Sequence, residues 1–140
     1  CAALLHDVIE DCFEDPDVGH HILEEKFGKR VADIVKELTS SKDEIDNDYD
    51  SKADYLIVKM FHMSDEALFI KLCDRLQNIS DAFTASERFR NKYFQETIQI
   101  MDELEKNRRL NRIQGLLANQ IKMKLANISS MFKIKRFNEI

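Results

Sequence analysis

The chain has 140 residues, 44% of them hydrophobic and 34% charged, with a net charge of −5. That balance suits one globular domain with a single hydrophobic core and excludes a disordered chain. No apolar run approaches the ~18 residues of a membrane-spanning helix, and the first residues carry no basic-then-apolar export signal.

Only three Gly and one Pro punctuate the chain, so the expected class is all-α. Residues 2–13 read as a helix ended by Asp15-Pro16-Asp17. A short helix from about Val18 to Phe27 follows. Gly28 reads as its end, and Val31, Ile34, Val35 and Leu38 give residues 29–38 helical spacing. Residues 39–51 are polar, acidic and without periodicity, which makes them the longest expected loop. Residues 52–63 read as the next helix. Ser64, with Asp65 and Glu66 behind it, caps a long helix to about Phe83. Ser86 caps another to about Lys106. The last helix starts near Leu110 and carries Leu110, Ile113, Leu117, Ile121, Leu125, Ile128 and Phe132 at spacings of three and four. The expectation is one domain over residues 1–140, with residues 107–140 as a basic helical extension.

Charge is unevenly spread. Residues 1–50 hold 15 acidic and 5 basic residues, whereas residues 106–140 hold 1 and 9. An acidic front is a poor nucleic-acid surface and a plausible place for a divalent cation. The basic tail, from Lys106 to Arg136, has an apolar row that points to packing, with Lys and Arg on the outer side and room for a dimer contact. Cys1, Cys12 and Cys73 form no C-x-x-C pair and cannot all be bridged, which fits a reducing cytoplasm. The chain opens at Cys1 inside an apolar run, so it reads as a piece of a longer protein or the ordered part of one.

Two helices carry polar stripes. At 100° per residue Leu4, Leu5, Val8, Ile9 and Cys12 fall within about a 140° arc, and His6, Asp7, Glu10 and Asp11 fill the opposite side. Carboxylates at i,i+3 and i,i+4 repel by about 3 kcal/mol at an effective dielectric of ~20. An exposed face tolerates that repulsion; a partly buried one calls for a cation. Farther along, Lys71, Asp74, Asn78 and Asp81 share a stripe, with Arg75 beside it, opposite an apolar side of Leu68, Phe69, Leu72, Cys73, Leu76, Ile79 and Phe83. Such a row could supply a metal ligand, a phosphate contact and a hydrogen-bonding orienter. An amphipathic surface helix accounts for the same spacing.

Taken together, the segment from Ala2 to Asp11 (AALLHDVIED), the Phe27-Gly28 pair with Val31, Val35, Leu38 and Thr39, the segment from Ile70 to Asn78 (IKLCDRLQN), and Glu96-Thr97 resemble the HD-domain superfamily of metal-dependent phosphohydrolases. Within it they are similar to stand-alone alarmone hydrolases and to the hydrolase domains of RelA/SpoT-type proteins. The resemblance runs through residues 2–100 and implies a helical bundle of about six to seven helices. It implies one divalent ion, usually manganese, and removal of the 3′-pyrophosphate from ppGpp. It implies His6, Asp7 and Asp74 as metal ligands and Glu10 and Asp11 as the pair that handles the attacking water. Asn78 matches a substrate contact, with Lys71, Arg75 and Asp81 as its neighbours.

The family takes a further metal histidine and basic contacts from a helix upstream of this motif. His20, His21 and His62 do not match that histidine and read as ordinary loop or surface residues. Without that ligand the 140 residues are expected to fold but to hydrolyse poorly. Position 77 is Gln where relatives often have His or an aromatic, and position 12 is Cys where Thr is common. The expectation is a cytoplasmic manganese-dependent ppGpp 3′-pyrophosphohydrolase with a nucleotide partner, no nucleic-acid or membrane partner, and a homodimer as one possible assembly. Its rivals are an HD enzyme on another nucleotide and a non-catalytic HD module that binds a nucleotide or a protein.

Overall fold

The computed structural model describes the backbone of residues 1–132 and side chains as far as Ser130. The Phe132 side chain of the expected apolar row, and the basic Lys133, Lys135 and Arg136, lie outside the described residues. Within them the chain is all-α, with no strand: α1 (Ala2–Leu5), α2 (Val8–Cys12), α3 (Pro16–Phe27), α4 (Lys29–Leu38), α5 (Lys42–Asp48), α6 (Lys52–His62), α7 (Asp65–Asp81), a 3-10 turn (Ala82–Thr84), α8 (Glu87–Asn107) and α9 (Arg112–Phe132).

Hydroxyl and carboxylate caps set most of these boundaries. Ser64 accepts from the Ala67 N–H at 3.2 Å and Ser86 from the Phe89 N–H at 3.4 Å, as their sequence positions predict. Asp15 caps α3 through the Asp17 N–H, with Pro16 in the first turn. Gly28 joins α3 to α4 at φ +86°, a left-handed angle that side-chain-bearing residues rarely adopt.

Two elements differ from the sequence expectation. The expected single helix over 2–13 is interrupted at His6–Asp7, which separate α1 from α2. The expected loop over 39–51 contains α5, capped by Ser41 on the Glu44 N–H. Its Ser41-x-x-Glu44 pattern is a capping signature. Seven residues with no fully buried side chain are too short for periodicity to reveal the helix.

The core has two parts. Leu56, Met60, Leu68, Leu72, Ile79, Phe94, Ile100, Leu104, Ile121 and Leu125 join α6, α7, α8 and α9. Ala2, Ile9, Leu23, Ala32 and Val35 join α1 to α4, and half-buried Ile34 and Ile70 pack against both parts. Gly19 lets α3 approach closely, since a Cβ there would lie 2.9 Å from the Phe13 ring. The Arg108 guanidinium closes the far end. It donates to the Met60, Phe61 and Met63 carbonyls at 2.8, 3.1 and 2.6 Å and to Asp65 at 3.1 Å, tying the end of α8 to the α6–α7 turn.

Helix α9 packs against α7 and α8, as its apolar row predicts, with a small rotation. Ile121, Leu125 and Ile128 are buried, but Ile113 is exposed and Gln114 takes the interior position. Gln114 is satisfied there, donating to the Asp65 carbonyl and carboxylate and accepting the Asn111 N–H. On α7 the expected apolar side holds except at Phe69, which is largely exposed. Among the described residues no helix is long and apolar enough to cross a membrane.

Candidate active site

The break between α1 and α2 lies against the middle of α7. Both elements hold to the core by apolar neighbours, Ile9 on α2 and Leu72 on α7, so their polar stripes face each other. His6 Nδ1 lies 2.8 Å from the Ala3 carbonyl, which can only accept, so that nitrogen carries an N–H and Nε2 is turned to the carboxylates. Nε2 then stands 2.9 Å from an Asp7 oxygen and 3.4 Å from an Asp74 oxygen. The Asp74 carboxylate accepts from Asn78 at 3.2 Å and lies 3.5 Å from the Lys71 ammonium. Two chain regions, the α1–α2 break and α7, thus meet at one carboxylate.

Burial pushes the Asp7 carboxyl above its ordinary range. His6 opposes that shift, while Asp74, Glu10 and Asp11 reinforce it by repulsion. Water screens much of the effect, because 59% of the Asp7 side chain is exposed. Burial also holds the Lys71 ammonium below its usual range, with the Asp74 charge opposing and Arg75 adding to the shift.

Several of these residues line a cavity of about 460 Å³, within the range of small-molecule sites. Asp7, Glu10, Lys71, Asp74, Arg75 and Asn78 contribute from the expected set. Glu10 reaches the wall from α2, and its carboxylate accepts the Ser40 N–H from the α4–α5 connection. Arg75 is buried; it donates to Thr97 at 3.0 Å, and its guanidinium carbon lies 5.0 Å from the centre of the Tyr93 ring.

Three residues of the expected set do not line the cavity: His6, which contacts its Asp7 and Asp74, and Asp11 and Asp81, which stand away from it. Asp11 is exposed on α2 and acts only through its charge on Asp7. Asp81 is exposed and accepts from Gln77. At 1.5 Å per residue it lies about 10 Å along the helix from Asp74, past the cavity's end. The histidines set aside from the motif stay outside as well. His20 meets Asp33 of α4 at 3.0 Å, His21 meets Glu25 at 3.4 Å, and His62 packs edge-on against Phe61.

The sequence reading missed one wall. Phe89, Lys92, Tyr93 and Glu96, at spacings of three, one and three, lie on one face of α8 and line the cavity, as does Lys52 of α6. Phe89 and Tyr93 stack at 6.1 Å with planes 11° apart. Burial raises the Tyr93 hydroxyl's pKa, opposed by the Arg75 charge and by a hydrogen bond from Asn78. The α8 spacing was the available signal. Lys52 had none, because it joins the wall only through the packing of α6 on α8.

The donor set, one imidazole nitrogen and two carboxylates, suits manganese, iron or zinc better than calcium. Donors about 2.1 Å from a shared ion stand roughly 3.0–3.4 Å apart, close to the separations of His6 from Asp7 and Asp74. Even so, no group of three His, Cys, Asp or Glu among the described residues is arranged as a ready-made cage. The donor chemistry fits an ion; the side chains stand in contact with one another rather than opened around a common point.

Comparison with known proteins gives a family. Residues 1–110 match the family described as HD domain. The chain is 32% identical over 100 residues to a guanosine-3′,5′-bis(diphosphate) 3′-pyrophosphohydrolase of Aquifex aeolicus (strain VF5). It is 35% identical over 107 residues to a probable GTP diphosphokinase RSH3, chloroplastic, of Oryza sativa subsp. japonica. Each alignment covers 71% of this chain and 14% of the relative, so the chain corresponds to a small part of those proteins. No solved structure matches significantly.

Proposed function

The chain belongs to the HD-domain family of metal-dependent phosphohydrolases, and from that premise we propose that it removes the 3′-pyrophosphate of ppGpp, with manganese as its ion. The observation that carries the reading is the contact of His6 with Asp7 and Asp74, two carboxylates that line one cavity together with Lys71, Arg75 and Asn78. The printed name of the Aquifex relative supports the substrate.

The charge of the cavity supports an ion before a substrate. Its lining has four carboxylates (Asp7, Glu10, Asp74, Glu96) and four cations (Lys52, Lys71, Arg75, Lys92). A balanced cavity has little pull on a polyphosphate, and the carboxylates gather where the phosphorus would react. In this reading His6, Asp7 and Asp74 hold the ion, which when bound would lower the pKa of a water and offset phosphate charge. Glu10 accepts the proton of the attacking water, and water's oxygen replaces the ribose 3′-oxygen on phosphorus. The products are GDP and pyrophosphate, with the proton balance closed at the 3′-oxygen. Lys71 and Asn78 orient the phosphates, and the Leu56, Phe89 and Tyr93 side of the cavity offers apolar surface to the nucleoside.

The test is incubation of the full-length protein and ppGpp with Mn²⁺, followed by chromatography of the products. GDP with pyrophosphate is expected. Cleavage at the 5′ side, or turnover only of another nucleotide, would refute the substrate while leaving the family intact.

A further inference from the structure

Glu10 sits on α2, a helix of five residues, and is exposed to solvent along much of its length. A long flexible side chain on so short a helix has no fixed direction of its own. Its carboxylate is nevertheless held, because it accepts the Ser40 N–H. That amide belongs to no helix, so something must fix the turn that carries it.

The fixing groups come from α6. The Tyr55 hydroxyl, on a residue only 3% exposed, accepts the Ser41 N–H at 3.1 Å and the Lys59 ammonium at 3.0 Å. Lys59 in turn donates to the Thr39 carbonyl. The two side chains therefore grip the backbone on both sides of Ser40, one by its carbonyl and one by its N–H. Their own positions are set from behind. Tyr49 meets the Tyr55 ring edge-on at 5.3 Å, and the Lys59 ammonium lies 5.3 Å from the centre of the Tyr55 ring. Thr39 also ends α4 by bonding back to the Val35 carbonyl at 2.8 Å.

We propose that Tyr55 and Lys59 are positioning residues that clamp residues 39–41 so that the Ser40 N–H aims Glu10 into the cavity. This inference rests on the reading of Glu10 as the proton acceptor. Neither side chain lines the cavity, so both act through Glu10 and not on the substrate.

Two readouts test it in the full-length protein. In the first, Tyr55→Phe keeps the buried ring and removes the hydroxyl. It should lower kcat for ppGpp about 10–100-fold, the range typical of a displaced catalytic group or a lost supporting partner, with KM within about threefold. In a Glu10→Gln background the same change should have no further effect. An equal loss in both backgrounds would overturn the inference, because it would mean that Tyr55 acts on the fold at large. The second readout is hydrogen exchange at the Ser40 amide, which does not depend on turnover. Slow exchange in the wild type should become fast in Tyr55→Phe and in Glu10→Ala alike. Unchanged exchange in Tyr55→Phe would overturn the clamp. Absence of ppGpp turnover in the wild type would refute the substrate reading while the exchange result still decides the clamp. If Tyr55→Phe does not fold, Lys59→Met on the half-buried position gives the same two measurements.

Discussion

Replacing Asp74 by asparagine keeps the side chain's shape and one oxygen for Asn78, but deletes the charge that faces Lys71 at 3.5 Å. At an effective dielectric of ~20, two unit charges at that distance attract by about 5 kcal/mol. Desolvation cancels much of this, since the two side chains are only 20% and 16% exposed. Lys71 would also lose the chief influence opposing its burial. The metal-free variant should therefore be less stable by about 1–2 kcal/mol, or roughly 4–8 °C for a domain of this size. The larger difference comes with the ion. Mn²⁺ bound as proposed, at ~100 times its dissociation constant, would stabilise the wild type by about 2.7 kcal/mol, roughly 10 °C. Loss of a direct ligand weakens binding by at least ~10–100-fold. The same Mn²⁺ would then stabilise Asp74→Asn by about 0.4–1.4 kcal/mol, roughly 2–6 °C. Thermal melts with and without Mn²⁺, paired with elemental analysis, read both quantities. An equal Mn²⁺-induced rise in the two proteins would remove Asp74 from the ion's ligands.

Glu10→Gln should keep the ion, measured by metal content, and lose about 10²–10⁴ in ppGpp turnover, because glutamine keeps the shape without the basicity; turnover within a few-fold of wild type would give Glu10 a structural role. Asp7 carries the pH prediction. Its pKa is raised from 3.8 in the folded, metal-free chain, so its contribution to stability is present below 3.8 and lost as pH rises through the raised value. Asp7→Asn should therefore raise the melting temperature of metal-free protein at pH 7 and leave it little changed at pH 3.5; a lower melting temperature at pH 7 would mean that the pairing with His6 outweighs burial. Lys71→Met should melt above the wild type without metal, since burial is the main influence on that ammonium, and should raise KM for ppGpp; a fall in melting temperature would show that its attraction to Asp74 dominates.

What could be read from the sequence follows from what local rules govern. Lys71, Asp74 and Asn78 share a wall because α7 is regular over 17 residues, so spacing alone places them. The same regularity carried Asp81 too far, because spacing fixes a face and not where a cavity ends. At His6–Asp7 neither Gly nor Pro marks the interruption, and Asp7 stays near helical angles at φ −98°, ψ −4°. A distortion that small leaves no trace in hydrophobic periodicity, yet it separates the motif's two leading donors from the helices on either side. The Ser40 contact to Glu10 spans 30 residues, and the α8 wall depends on how α6, α7 and α8 pack. The first is encoded in no window of sequence that a local rule can scan; for the second, spacing shows the α8 face but not the cavity it meets.

Under the proposed function, the charge distribution implies an order of binding. Lys71 and Arg75 are held by Asp74 and by Thr97 with Tyr93, so their charges are partly spent inside the protein before any phosphate arrives. Lys52 and Lys92 are exposed at the rim and can meet a polyanion without losing an internal partner as close, since the Lys92–Glu96 pair is 3.9 Å long. Asp7, Glu10 and Asp74 line the same cavity and would repel a phosphate brought near them. Under the proposed function, a divalent cation held by those carboxylates would turn the repelling part of the cavity into the attracting part. Substrate affinity should accordingly rise with metal occupancy, whereas a site that bound phosphate through Lys and Arg alone would be indifferent to it.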